Sequence, residues 1–206
     1  MDNMQLKHRL KVFSQIVAET ACTHKIHENI DLEEAMYFVL EHLRELRSQS
    51  RTLYIVGNGG SAAIASHALV DFVNVAKINA QVLHESSLIT CIANDYGYES
   101  VYARVLTQIM QPEDILIAIS SSGKSKNICH AAKAANMKGG KVITFSGFDV
   151  NNPLRSLGYI NFWLDSNDYG FVEVAHQFIL HNLSDRFGVE SRNKEYEQQS
   201  VLDTCL

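Results

Sequence analysis

Residues 53–71, LYIVGNGGSAAIASHALVD, join an apolar run, a glycine turn and an alanine-rich segment in direct succession. The pattern predicts a buried strand over residues 53–56, a tight turn over residues 57–60, and a helix that Ser61 caps. A strand that enters a helix through glycines exposes backbone N–H groups at the positive end of the helix dipole. This turn is therefore a candidate site for an anion such as a phosphate.

The predicted helix after the turn carries His67 and Asp71, four residues apart. Side chains at this spacing lie on the same face of a helix, here one turn beyond the anion site. Such a pair is usually a surface ion pair, and the alternative is a pair that holds a metal. The spacing alone leaves both interpretations open.

A second hydroxyl-rich turn, SSSGKS, follows the apolar run of residues 114–119. The hydroxyls of Ser120, Ser121, Ser122 and Ser125 can each donate to a phosphate oxygen, and the following helix adds its N-terminal amides. The alternative is a solvated turn in which Ser122 or Ser125 only caps the helix. The patterns GxxxxGK[ST] and GxGxxG do not occur, which disfavours a nucleotide-binding fold.

Strands and helices alternate along the rest of the chain. Apolar runs that predict strands follow at residues 80–83, 88–93, 114–119, 141–145 and 159–164, and helices are predicted at residues 99–110, 124–138 and 169–187. The order is βαβαβαββα or close to it. It predicts an α/β fold with a doubly wound, mostly parallel, five-stranded sheet of the flavodoxin-like kind, with ligands at the carboxyl ends of the strands. Asn94 and Asp95 end one of these runs and are candidates for ligand contact.

The ends of the chain differ from this core. Helices are predicted over residues 4–24 and again after Asp31 and Glu34, which form a capping box, so residues 1–50 are expected to be a helical extension. Their wide apolar stripes must be buried on the core or on another subunit. Residues 51–187 would form the α/β domain, and the polar residues 188–206 a tail that is partly ordered at best.

The composition excludes several classes of protein. The net charge of −5 and the lack of a basic stripe argue against a nucleic-acid partner. No stretch approaches the roughly 18 apolar residues of a membrane span. Four scattered cysteines without a CxxC motif are typical of reduced thiols, so we expect a cytoplasmic protein with no membrane partner.

Taken together, these motifs resemble the sugar isomerase (SIS) domain family and, within it, the phosphoheptose isomerases. The resemblance covers residues 1–187 and is carried by GNGGSAAIASH (57–67), ANDYG (93–97), AISSSGKS (118–125) and EVAHQFILH (173–181). It implies an isomerase that converts sedoheptulose 7-phosphate to D-glycero-D-manno-heptose 7-phosphate through an enediol. It also implies a homotetramer with sites at subunit boundaries, and zinc in some members.

The resemblance further implies roles for individual residues. Asp71 is in the position of the carboxylate base, His181 in that of the acid/base histidine, and His67 in that of the first metal histidine. The implied substrate contacts are Asn58, Gly59, Gly60, Ser61, Asp71, Asn94, Asp95, Ser120, Ser121, Ser122, Ser125 and Glu173.

Three residues depart from the family pattern, which has glutamate at Asp71, glutamine at Glu173 and arginine at Val75. Because Glu173 is negative, His67, Asp71, Glu173 and His181 would form a two-histidine, two-carboxylate set suited to a divalent cation, with zinc as the expected metal. Eight helical residues separate Glu173 from His181 by about 12 Å, so both reach one ion only at full stretch or from different subunits.

The competing hypothesis is a non-catalytic SIS protein that binds a phosphosugar or a protein partner. Some relatives of this subfamily assist a replication initiator as tetrameric scaffolds; they keep the serine turn but lack the last-helix histidine. The presence of His181 together with His67 favours the enzyme.

Overall fold

The computed structural model describes residues 4–26 and 28–204, with side chains described up to residue 189. Within these ranges the elements are α1 (Leu6–Ala18), β1 (Ala21–His24), β2 (Glu28–Ile30), α2 (Leu32–Ser48), β3 (Thr52–Val56), α3 (Gly60–Asn74), β4 (Asn79–Val82), α4 (Ser86–Tyr96), α5 (Val101–Ile109), β5 (Ile115–Ser120), α6 (Lys126–Met137), β6 (Lys141–Ser146), β7 (Ile160–Trp163) and α7 (Tyr169–Thr204). No helix in the described ranges is long and apolar enough to cross a membrane.

The sheet has the strand order β2-β1-β7-β6-β5-β3-β4. Strands β3 to β7 are parallel, whereas β1 pairs antiparallel with both β2 and β7. One face of the sheet packs on apolar side chains of α2, α3 and α7, and the other on those of α5 and α6. The α/β fold and its mostly parallel, doubly wound sheet are therefore confirmed, and the five parallel strands are joined by two antiparallel ones.

The first of these extra strands corrects the prediction of a helix over residues 4–24. Helix α1 ends at Ala18, and β1 pairs with β7 so that Cys22 lies opposite Phe162. Cys22 and His24 alternate with less buried neighbours, which is the period of a strand. Residues 1–50 are thus partly built into the sheet and are not a purely helical extension.

Helix α2 begins where the sequence predicts, because the carboxylate of Asp31 accepts a hydrogen bond from the N–H of Glu34 at 2.8 Å. Its buried residues, among them Val39 and Leu43, pack in the core of the same chain. By contrast, α1 has no buried residue, and Leu6 and Leu10 are 73% and 55% exposed. The later residues of α1, Phe13, Ile16 and Val17, are partly buried against Val172 and Ala175 of α7, so only the first half of its apolar face is left uncovered by the chain itself.

Residues 88–93 belong to helix α4, so their prediction as a strand is wrong. Glu85 begins this helix by accepting a hydrogen bond from the N–H of Leu88 at 2.9 Å. Ile89 and Ile92, three residues apart, pack against the core on one face of the helix. A short apolar run is compatible with either period, and in this case the cap determines the helix.

Two further boundaries differ from the sequence predictions. Helix α3 starts at Gly60 after Gly59, which has a φ of 54°, and Ser61 lies buried inside the helix instead of capping it. Helix α7 does not end near residue 187 but continues to Thr204, where a partly ordered tail is predicted. Residues 205 and 206 of that tail lie outside the described residues.

Candidate active site

The two predicted anion-binding turns meet at one edge of the sheet. Strands β3 and β5 are parallel neighbours, with Val56 opposite Ala118, so the turns that follow them lie side by side. A cavity of about 260 Å³ opens between them. Its lining comprises Asn58, Gly59, Gly60, Ser61, Ile119, Ser120, Ser121, Ser122, Ser125, Tyr169 and Glu173. Nine of these eleven residues are among the predicted substrate contacts. The two turns that follow β3 and β5 supply most of the lining, and α7 supplies Tyr169 and Glu173.

The serine turn leaves its hydroxyls available to a ligand. Ser125 is the residue before α6, yet its side chain caps no backbone N–H and instead accepts a hydrogen bond from the Ser120 hydroxyl at 3.3 Å. The buried hydroxyl of Ser121 has no hydrogen-bond partner among the described residues. An anion in the cavity would satisfy these groups and the N-terminal amides of α6. Of the two serines in the capping alternative, Ser125 caps no backbone N–H, whereas the Ser122 hydroxyl accepts a hydrogen bond from the Lys124 N–H at 3.2 Å.

Asn58 is held in place by two residues that the sequence analysis did not single out. Its side-chain amide donates to Asn127 Oδ1 at 2.9 Å, and the Asn127 amide donates back to Asn58 Oδ1 at 2.8 Å. The Tyr98 hydroxyl also donates to Asn58 Oδ1 at 3.1 Å. Asn127 is 2% exposed and Tyr98 is 52% exposed, so the network runs from the core to the surface and fixes the side chain of Asn58. The sequence contains one signal for Asn127, which is that it is a polar residue in the first turn of α6.

The histidine group lies one helical turn further along α3. The Nδ1 atom of His181 lies 2.8 Å from Asp71 Oδ2, and the Nε2 atom of His67 lies 3.8 Å from the same oxygen. The two imidazole rings are edge to face, with centroids 4.8 Å apart. The donor atoms of all three side chains lie within 4.8 Å of one another, which is compatible with a shared metal ion. Among the described residues this group comprises His67, Asp71 and His181, and Glu173 as a fourth ligand stays a prediction.

Glu173 instead connects the histidine group to the serine turn. A second cavity, of about 440 Å³, is lined by Gly60, Ala63, Ile64, His67, Glu173, Val174, Gln177 and His181. Gly60 and Glu173 line both cavities. The Glu173 carboxylate lies so close to Gly60 that a Cβ atom there would displace it. The anion site and the histidines therefore form one continuous region.

The structure does not bring Asn94 and Asp95 to this region. Both are exposed residues of α4, where the Asn94 amide donates to Asp95 Oδ1 at 2.8 Å. Neither appears in the lining of the two cavities, within the part of the chain that the structure describes. Because residues 88–93 form a helix and not a strand, their polar end does not lie at the carboxyl edge of the sheet. Substrate contact by these two residues stays a prediction.

His176, five residues before His181 on α7, lies in the core and not in either cavity among the described residues. It is fully buried on α7, and its Nε2 atom lies 3.3 Å from the carbonyl oxygen of Ser146. Burial lowers the pKa of His176 to about 4, because a positive charge would be poorly solvated there.

Known proteins resemble this chain over most of its length. The sequence pattern of the SIS domain matches residues 16–147. The phosphoheptose isomerase of Helicobacter pylori is 34% identical over 172 residues, which are 74% of this chain and 88% of that protein. The phosphoheptose isomerase of Synechocystis sp. is 38% identical over 155 residues, or 72% of this chain and 77% of that protein.

Solved structures of phosphoheptose isomerases share the fold of this chain. The phosphoheptose isomerase of Francisella tularensis superposes with a TM-score of 0.77 at 22% identity, covering 91% of this chain and 98% of that one. The phosphoheptose isomerase of Neisseria gonorrhoeae gives a TM-score of 0.72 at 25% identity, covering 89% and 98%. With the serine turn, the glycine turn and the histidine group in one region of this fold, the chain belongs to the SIS domain family and, within it, to the phosphoheptose isomerases.

Proposed function

We propose that this protein isomerises sedoheptulose 7-phosphate to D-glycero-D-manno-heptose 7-phosphate through an enediol. The observation that carries the proposal is the continuity of the hydroxyl-lined anion turn with the histidine group through Glu173. A sugar phosphate has its phosphate at one end and its reacting carbons at the other, which matches this arrangement. The names of the relatives at 34% and 38% identity support a heptose phosphate as the substrate.

The serine turn would bind the phosphate and so position the sugar. The hydroxyls of residues 120–125 and the N-terminal amides of α6 offer donors that suit a dianion. Binding energy gained at the phosphate, remote from the reacting carbons, holds those carbons in a productive position. The cavity residues would thus contribute affinity and orientation, and the histidine group would carry the chemistry.

Isomerisation requires a carboxylate that moves a proton between C1 and C2, and an acid/base group for the two oxygens. His181 suits the second role, because its Nδ1 atom faces Asp71 and its Nε2 atom remains free of that contact. The first role falls to a carboxylate near His181. Asp71 is the residue that the sequence analysis assigns to it, and Glu173 is the second carboxylate of the region.

A divalent metal, with zinc as the expected ion, would be held by His67, Asp71 and His181. The fit is supported by the mixed nitrogen and oxygen donors, since the buried Asp71 Oδ2 atom lies within 3.8 Å of a ring nitrogen of both His67 and His181. When bound, the ion would supply positive charge that stabilises an enediolate. His181 would then divide its two nitrogens between the metal group and the substrate.

We further propose a cytoplasmic homotetramer with active sites at subunit boundaries. The uncovered apolar residues of α1, together with Val174 and Phe178 on α7, support an assembly that buries them. Val174 also lines the second cavity, so a neighbouring subunit on this surface would border the active site.

An assay with sedoheptulose 7-phosphate, before and after dialysis against a chelator, tests the function. We expect turnover by the wild type, loss after chelation and recovery with added zinc, together with loss of turnover in His181→Ala. A purified protein that contains no metal, and whose sugar-phosphate binding and turnover are unchanged by His181→Ala, would instead support the non-catalytic scaffold.

A further inference from the structure

The two carboxylates of the site have different surroundings. The Asp71 Oδ2 atom lies 2.8 Å from His181 Nδ1 and 3.8 Å from His67 Nε2. The Asp71 side chain is 19% exposed. Asp71 is absent from the lining of both cavities, within the described part of the chain. Its contacts are therefore with the histidines and not with the space that a sugar would occupy.

Glu173 has the opposite environment. It lines both cavities, and its carboxylate lies directly against Gly60. Its oxygens make no hydrogen bond or ion pair with the residues that the structure describes. A carboxylate without a protein partner, at the junction of the anion turn and the histidine group, remains available to a ligand that spans the two.

A general base must come within hydrogen-bonding reach of the proton that it removes. Glu173 lines the same cavity as His67 and His181, so a sugar whose C1 and C2 oxygens meet His181 there has its C1 within the cavity that the Glu173 carboxylate borders. We infer that Glu173, and not Asp71, is the carboxylate that transfers the proton between C1 and C2. This inference rests on the proposed function, and it makes Asp71 a positioning residue that orients His181 through Nδ1.

The proton transfer can be followed atom by atom. The Glu173 carboxylate takes a proton from C1 of the open-chain ketose, and the C1–H electron pair forms the C1=C2 double bond as the C2 carbonyl oxygen becomes negative. His181 protonates that oxygen and then takes the proton from O1. The O1 electrons form the new carbonyl at C1, and Glu173 returns its proton to C2. Both residues end in the protonation states in which they began.

Three variants distinguish the role of Glu173 from that of Asp71, and a fourth is the control. Glu173→Gln removes the charge at constant size, Glu173→Asp keeps the charge on a shorter arm, and Asp71→Asn is the matched change beneath the histidines. Glu113→Gln is the control, because Glu113 pairs with Lys141 at 3.4 Å at the opposite end of the strands. The readouts are kcat, KM, calorimetric affinity for sedoheptulose 7-phosphate, and exchange of the C1 proton for deuterium in D₂O.

For Glu173→Gln we expect kcat to fall by about 10²–10⁴-fold, the size typical of a lost general base, with deuterium exchange lost and affinity within a few-fold of wild type. Glu173→Asp should recover part of both activities. Asp71→Asn should retain deuterium exchange and lose less turnover than Glu173→Gln. Glu113→Gln should match the wild type.

The inference would be overturned by a Glu173→Gln protein whose kcat stays within threefold of wild type, or by loss of exchange in Asp71→Asn but not in Glu173→Gln. Either result leaves the proposed isomerase standing, since the wild type would still turn over its substrate. A wild type that binds the sugar phosphate but shows neither turnover nor exchange overturns the proposed function and this assignment together.

Discussion

At the scale of single residues, the predicted anion turn contains one buried hydroxyl without a hydrogen-bond partner among the described residues. Ser121 is buried without a partner among the described residues, and Ser125 does not cap its helix. A buried hydroxyl that lacks a hydrogen bond is costly, and a bound phosphate removes that cost. The free turn is therefore prepared for an anion.

Replacing Ser122 and Ser125 together with alanine removes two phosphate donors from this turn. We expect KM for the sugar phosphate to rise by about tenfold or more, because each lost hydrogen bond to a charged group typically weakens binding by roughly 1.5–3 kcal/mol. The turnover number should change less than KM, since the phosphate lies away from the reacting carbons. Steady-state kinetics with Ser156→Ala as a control tests this, and an unchanged KM in the double variant would contradict it.

The buried His176 makes stability depend on pH. Its pKa is about 4 in the folded chain, compared with about 6.5 for a free histidine, so between these values the unfolded chain binds the extra proton. The stability from the neutral ring is fully present above about pH 6.5 and is lost as the pH falls toward 4. The free energy of unfolding changes by about 1.4 kcal/mol per pH unit in this range, so at pH 5 it is lower by about 2 kcal/mol than above pH 6.5.

Urea unfolding at pH 7.5 and pH 5 measures this loss. His176→Gln, which keeps a donor for the Ser146 carbonyl, should show a smaller decrease in the free energy of unfolding than the wild type over the same interval. The exposed His8→Gln serves as the control and should follow the wild type. An equal decrease in all three proteins would show that His176 does not carry the effect.

The residue patterns predicted which turns and side chains come together. They did not predict which of the two carboxylates, Asp71 or Glu173, lines the cavities. The meeting of the glycine and serine turns follows from strand order, because parallel strands end at one edge, whereas the grouping of His181 with His67 and Asp71 was implied by the resemblance to the family. The separation of Glu173 from that group, and its contact with Gly60, depend on how α7 packs across α3. That packing has no local sequence signal.

At the scale of secondary-structure elements, predictions succeeded where a cap and a long periodic pattern coincide. Helix α2 has both, whereas β1 and α4 are short and ambiguous in period. The strand β1 is decided by its tertiary pairing with β7, and α4 by the Glu85 cap. Local sequence could not have fixed β1, whereas the Glu85 cap, three residues before Leu88, is a local signal for α4.

The start of α2 offers a direct test of the capping interaction. Asp31→Ala removes the acceptor of the Glu34 N–H and should lower the free energy of unfolding by about 1 kcal/mol. Asp31→Asn keeps a side-chain oxygen and should retain most of the stability. Chemical denaturation of the three proteins compares them, and equal loss in both variants would point to the charge and not to the cap.

At the scale of the whole molecule, the uncovered surface of α1 argues for assembly. Leu6 and Leu10 are largely exposed, while α2 is already buried within the chain. Light scattering should give four times the chain mass of 23.1 kDa, and Leu10→Glu should lower it. Met137→Glu, at an 81% exposed position on α6, is the control and should leave the mass unchanged. A stable 23.1 kDa monomer at micromolar concentration would rule out the tetramer and its shared sites.

The central claim is that this chain isomerises a phosphosugar through an enediol. Proton NMR of sedoheptulose 7-phosphate with the zinc-loaded wild-type protein in D₂O tests it most directly. The account predicts anomeric signals of the aldose, with solvent deuterium entering at the carbon next to the carbonyl. A spectrum that stays that of the ketose, with no deuterium incorporated while the sugar phosphate is bound, would contradict it.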